Sequence, residues 1–354
     1  MSTHLAACSS CLSEQPSGRD EIVANIADDG ALAYQPSGMS SLTETVFFVF
    51  GLVALGYLSG WTGYLRAEVG NGLSQFAVAI ALPLLLFRTM VSADFHGAAP
   101  WHLWGAYFAA VIVAWTAGNL VTTRIFGRDA AIGVVGGISA AFSNTVLVGV
   151  PLVLGVYGQD GIDILSLIVA IHLPTMMMAS IVVFELFGGQ GREPDPPLVL
   201  MRGFLANILV NPLIAGILIG LAWRFTELAL PPLAVRFVDA LADIAGPLAL
   251  FAVGLGLSKL GISGNARLSL ALSALKLMLM PAAALLFAWL FGLPPLSAKV
   301  AVATAALPAG INSYLIAIQF GTGQALASSQ MTLSTGLAVI TMAFWLSVAE
   351  IAFG

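Results

Sequence analysis

Gly136-Gly137-Ile138-Ser139-Ala140-Ala141-Phe142-Ser143-Asn144-Thr145-Val146-Leu147-Val148-Gly149-Val150-Pro151 and Ala305-Ala306-Leu307-Pro308-Ala309-Gly310-Ile311-Asn312-Ser313-Tyr314 are the two stretches on which the fold turns. Each sets a Pro, a Gly and uncompensated polar side chains in the middle of an apolar run. Pro lacks a backbone donor and clashes with the preceding turn, so a kink or break is predicted in both. In an apolar medium the freed amides and carbonyls need partners, which polar side chains or a ligand can supply. A broken helix also exposes a half-helix N-terminus, whose partial positive charge favours an anion. A kinked helix bound to its neighbours through Asn and Ser accounts for either stretch alone. Two such stretches at matching positions favour a binding site.

That medium is lipid. Charged residues make up 9% of the 354 residues and apolar ones 59%, with a mean hydropathy of +0.96. A soluble domain carries roughly 25% charged residues. The net charge is 13 − 18 = −5, and without a basic stripe nucleic acid is excluded as a partner. A membrane helix needs about 20 mostly apolar residues. Ten runs qualify: Leu42–Ser59, Val69–Val91, Trp101–Thr122, Ala130–Tyr157, Ile162–Phe187, Met201–Phe225, Val235–Leu257, Leu268–Phe291, Lys299–Phe320 and Leu326–Phe353. Continuous runs of this kind do not alternate as barrel strands do. The expected fold is an all-α membrane protein of ten transmembrane helices.

The polar stretch before residue 41 differs from everything after it and reads as a disordered tail. It holds both cysteines, in Cys8-Ser9-Ser10-Cys11. With no second pair and only His4 nearby, they do not form a metal or redox site. Met39 reads as the natural start. The domains are expected to be a tail at 1–40, a first five-helix unit at 41–187, a linker at 188–200 and a second unit at 201–354.

The two units look like copies. Leu82-Pro83-Leu84-Leu85-Leu86-Phe87 and Gly246-Pro247-Leu248-Ala249-Leu250-Phe251 align with Pro83 and Pro247 164 residues apart. Ser143-Asn144 and Pro308-Ala309 are offset by 165, as are Glu185 and Glu350. A duplicated unit with an odd number of spans places its copies in opposite orientations, the inverted repeat of secondary transporters. Spans four and nine are then the helices that break and cross.

Three motifs resemble the auxin efflux carrier family: Ser143-Asn144-Thr145-x-x-x-Gly149-x-Pro151-Leu152, Ala306-Leu307-Pro308-x-x-x-Asn312, and Gly246-Pro247-Leu248-Ala249-Leu250-Phe251-Ala252-x-Gly254. The resemblance covers Leu42–Phe353. It implies two inverted five-helix repeats, homodimers, and a transport domain that moves against a scaffold made by the first two helices of each repeat. It also implies a small organic anion as substrate, a carboxylate such as malonate or an auxin-like acid. Ser143 stands where the plant exporters carry a crossover Pro, and Asn312 matches the bacterial carriers. The residues expected at the substrate are Ser143, Asn144, Thr145, Asn312 and Ser313, with Pro151, Pro308 and Gly310 shaping the crossover. No metal or cofactor is implied.

Other polar residues also lie inside the spans. Lys276 either neutralises the anion, or snorkels to the interface or caps broken-helix carbonyls. Capping is favoured, because direct contact would hold a carboxylate too tightly for release. His172, beside Pro174, reads as a satisfied core histidine rather than a proton relay. Asp239 and Asp243 read as an interfacial face, and Met176-Met177-Met178 as adaptable packing. No Gly-x-x-x-x-Gly-Lys-Ser/Thr motif is present, so the chain itself does not consume ATP. An intramembrane enzyme would need a convergent nucleophile and base or a metal cluster, and the spans offer one histidine. A ligand sensor would want a soluble output domain.

If the tail faces outward, the cytoplasmic joins hold seven positive residues and the opposite joins four. The positive-inside rule therefore orients the tail outside. Single cysteines placed in Gly188–Leu198 are expected to react only from the cytoplasmic side. Labelling of intact cells by an impermeant maleimide reverses the orientation.

Overall fold

The computed structural model describes residues 41–92, 100–187, 211–259 and 266–354, all within a single packed unit, Ser41–Gly354. The expectations for the tail at 1–40 and the linker at 188–200 lie outside the described residues. The described residues are helical, without strands. Four π-helical turns interrupt or extend the helices, and each leaves backbone carbonyls out of the regular ladder.

Helix α1 (Ser41–Trp61) is followed by α2, two α-helical stretches, Ala67–Phe76 and Leu82–Ser92, joined by the π turn Ala77–Ala81. Helix α3 (Pro100–Leu120) runs into the π turn Val121–Ile125. Helix α4 (Ala130–Ala141) starts at Asp129, whose side chain accepts from the Ile132 amide at 2.8 Å. Helix α5 (Val150–Phe187) is entered through the π turn Thr145–Gly149 and is interrupted at Gly158, where φ is 63°. Helix α6 (Pro212–Arg224) is capped by Asn211 Oδ1, which accepts from Leu213 N at 2.9 Å. Pro212 takes the first helical position, where its missing N–H costs nothing. Helices α7 (Pro232–Asp243) and α8 (Ala245–Leu257) follow with a bend between them. Helix α9 consists of Ala266–Ala274 and Met280–Leu290 around the π turn Leu275–Leu279. The chain ends in α10 (Pro295–Ala306), α11 (Ile311–Gln319) and α12 (Gln324–Phe353).

Among the described residues, seven helices are long and apolar enough to cross a membrane. The run expected at Ala130–Tyr157 is broken after Ala141, and its second half continues into the fifth run as one 40-residue apolar stretch, Thr145–Phe184. The run at Lys299–Phe320 is divided into α10 and α11. Part of Met201–Phe225 lies outside the described residues. The described chain is thus that of an all-helical membrane protein in which the runs at Ala130–Tyr157 and Lys299–Phe320 each begin as a short half-helix, Ala130–Ala141 and Pro295–Ala306.

Without a hydrophobic force between helices in lipid, close backbone approach through small residues holds a bundle together. Gly56 on α1 lies against the backbone of Phe251 and Leu255 on α8, and Gly254 against that of Val53 and Tyr57. Gly216 and Gly220 on α6 meet the backbone of Pro83 and Phe87 on α2 in the same manner. The contacts Gly56–Phe251 and Gly220–Phe87 involve residues 164 apart on both sides. Left-handed glycines also come in pairs offset by 165: Gly127 with Gly292, and Gly158 with Gly323. At the surface, Arg88 Nη1 reaches Asp243 Oδ1 at 2.7 Å and Asp239 Oδ1 at 3.1 Å, tying α2 to α7. The two carboxylates expected to form an interfacial face share this guanidinium.

A Cβ at Gly254 would collide with main-chain atoms of α1, which no rotamer change can move aside. Gly254→Val is expected to lower stability by about 2 kcal/mol or more. Gly51 of α1 faces open space, so Gly51→Ala should be neutral or stabilising by up to about 1 kcal/mol. Thermal unfolding of the purified variants checks both, and equal midpoints would show that α1 and α8 are not held this way.

Candidate substrate site at the helix breaks

The two breaks meet. Phe142 and Asn144 leave helical geometry after α4, and Leu307 to Gly310 do so after α10. Ser143 and Ala309 form an isolated antiparallel β-bridge. The Asn144 amide donates to Pro308 O at 2.9 Å, and the Gly310 amide donates to Phe142 O at 2.9 Å. The Ala309 amide donates to Ser334 Oγ on α12 at 3.2 Å. Backbone groups released by the breaks therefore satisfy each other, as a water-free interior requires. A Cβ at Gly310 would lie 3.2 Å from the Ser143 carbonyl oxygen, a tight contact at the bridge.

The prolines act differently from one another. Pro308 sits within the extended segment itself. Pro151 lies in the first turn of α5, just after the π turn Thr145–Gly149. That wider turn accommodates a residue with no N–H to donate. The first break therefore falls at Phe142-Ser143-Asn144, where no proline stands.

A cavity of about 270 Å³ opens beside the bridge. The breaks contribute Asn144, Leu147, Ile311 and Tyr314; α2 contributes Asn71 and Ser74, and α12 Met331 and Thr335. Residues of α8 and Lys259 just past its end form the remaining wall. Its walls are mostly apolar with a few amide and hydroxyl groups, the usual make-up of a small-molecule pocket. Lys259 is half exposed and lies 3.7 Å from Glu68.

Asn144 is the expected substrate residue that lines this cavity. Ser143 is buried with Oγ 3.9 Å from Met280 Sδ, and Thr145 is buried beside it. Ser313 Oγ donates to Gly310 O at 2.9 Å, stabilising the first turn of α11. Asn312, on the same turn, is half-buried and is not among the lining residues. Lys276 is fully buried, and its ammonium donates to Ala305 O at 2.6 Å, at the C-terminal end of α10. It does not line the cavity either. His172 is buried with Nδ1 3.3 Å from the Tyr107 hydroxyl, and its ring packs edge-on against Phe142 at 5.0 Å. Asn71, Ser74, Tyr314 and Thr335 were not predicted as site residues. A single polar residue in an apolar run carries little signal until the neighbouring helix is known.

A protein-family model described as membrane transport protein matches residues 41–346. The chain belongs to that family, the auxin efflux carriers. It is 29% identical over 321 residues to a Rhizobium meliloti protein named for malonate transport, covering 86% of this chain and 94% of that one. An uncharacterized transporter of Methanothermobacter thermautotrophicus is 25% identical over 313 residues, covering 86% and 97%. The mouse lysosomal cholesterol signaling protein is 26% identical over 215 residues, which are 58% of this chain and 24% of that protein. The family and its apolar spans make this carrier a multi-pass protein of the cell membrane.

Proposed function

We propose that this family member is a secondary carrier for a small carboxylate, bound in the cavity beside the bridged breaks. The observation that carries this reading is the position of Asn144: its backbone pairs the two broken helices and the residue lines the cavity. Hydrogen bonds from Asn144, with Asn312 joining as the cavity reshapes, hold the carboxylate. The N-terminal turns that begin at Thr145 and Ile311 add partial positive charge, since their first amides have no intrahelical acceptors. The relative named for malonate transport supports a carboxylate substrate.

The carrier has ten spans in two inverted five-helix repeats, residues 41–187 and 201–354 joined by 188–200, and works as a homodimer. Support comes from the half-helices Ala130–Ala141 and Pro295–Ala306, equal in length and offset by 165. The paired left-handed glycines and the reciprocal Gly56–Phe251 and Gly220–Phe87 contacts support it as well. The cavity takes residues from α2 and α8 on one side and from the broken helices and α12 on the other. A site with that seam can be carried past a fixed scaffold in an elevator-like movement, giving alternating access.

A hydrogen bond to a charged partner contributes about 1.5–3 kcal/mol, so loss of one donor weakens binding about tenfold or more. Asn144→Ala and Asn312→Ala are each expected to weaken carboxylate binding by that factor while the protein stays monodisperse. The measurement is flux and binding in proteoliposomes with malonate, acetate and indole-3-acetate under imposed gradients. Unchanged affinity in the double variant would remove the proposed site, and no flux of any carboxylate would remove the proposed function.

A further inference from the structure

Wherever two broken helices meet, two half-helix N-termini and two C-termini converge. The C-terminal ends of α4 and α10 each present carbonyls without intrahelical partners, equivalent to about half a negative charge. An anion drawn to the N-terminal turns is repelled by these ends. In a low-dielectric interior that repulsion is only weakly screened. A cation at one of the C-terminal ends would remove it.

Lys276 occupies such a place. Its ammonium lies 2.6 Å from Ala305 O, in the last turn of α10, and the side chain is 0% exposed. The salt bridges among the described residues join Arg88, Lys259 and Lys299 to carboxylates near helix ends, and none includes Lys276. Burying an ammonium without a carboxylate is expensive, and the hydrogen-bond partner shown for it is the Ala305 carbonyl at the end of α10. The π turn Leu275–Leu279 presents Lys276, and the Trp345 indole donates to the Leu277 carbonyl of that turn at 2.8 Å. The neighbours of the other break are the Tyr107–His172 pair and the Phe142 ring. Lys276 is absent from the cavity wall, so an anion bound there would feel it through the end of α10 and not by contact.

We propose that the Lys276 ammonium is a resident cation, bound to the C-terminal end of α10 where it takes the place of an inorganic coupling ion and makes the bridged breaks hospitable to anions. Lys276 is thus a positioning residue for charge. This inference rests on the carrier reading, and it adds that carboxylate binding needs no sodium.

The test uses the full-length purified protein and two readouts. In thermal unfolding, Lys276→Ala is expected to be less stable than wild type. n-Propylammonium, which replaces the deleted part of the side chain, should raise its midpoint by mass action. Choline should not, and wild type should respond to neither of them nor to sodium. In malonate binding, wild type should have the same Kd in sodium and in choline chloride. Lys276→Gln keeps a donor for Ala305 O but no charge, and should bind malonate about tenfold more weakly or worse. If Lys276→Ala cannot be recovered folded, Lys276→Gln carries both readouts, with a lowered midpoint as its expected thermal result. The proposal is overturned by propylammonium acting no better than choline, by sodium stabilising wild type, or by malonate affinity in Lys276→Gln equal to wild type. If wild type binds no carboxylate at all, the carrier reading fails, and the unfolding readout still decides the resident cation.

Discussion

The structure depends on two backbone hydrogen bonds, Asn144 N to Pro308 O and Gly310 N to Phe142 O. A helix broken in the middle of a bilayer exposes amides and carbonyls with no water to take them up, each costing several kcal/mol if left alone. Two broken helices that meet can take up one another's released groups. The pairing leaves the N-terminal turns of α5 and α11 together at one place. Neither break is tolerable without the other, so both must be placed by the same fold.

Everything around the bridge keeps that meeting point in register. Close backbone approach at Gly56 and Gly254 holds α1 to α8, and Gly216 and Gly220 hold α6 to α2. The Ser334 hydroxyl takes the Ala309 amide, Ser313 closes the first turn of α11, and Lys276 takes the Ala305 carbonyl. Each of these is a small or polar side chain in an apolar run. In a soluble protein the polar ones would more often lie at the surface. Here they mark the interior, because lipid makes an unsatisfied polar group costlier than an internal hydrogen bond.

The cavity is built from neutral groups, with one lysine at half exposure. A carrier must release what it binds, and dipoles at helix ends attract a carboxylate less strongly than a contacting ammonium does. Placing Lys276 behind the end of α10, out of the cavity wall, keeps positive potential near the site without a direct ion pair. The same arrangement explains why a chain with so few charges buries one of them completely.

The amino-acid sequence alone determined the membrane setting, the helical class and the two stretches where helices break, since each follows from local composition and from the missing donor of proline. The family resemblance was also legible, through Ser143-Asn144-Thr145, Leu307-Pro308 and Gly246-Pro247. Two things were less legible. One is the part played by Pro151, which the π turn at Thr145–Gly149 accommodates in the first turn of α5, so that the break at Phe142-Ser143-Asn144 contains no proline. The other is the composition of the cavity. Asn71, Ser74 and Thr335 line it because α2 and α12 pack beside the breaks, while Ser143, Thr145 and Ser313 are buried. Which face of a helix looks into a cavity is set by its neighbours. In a bundle where nearly every face is apolar, periodicity carries little record of it.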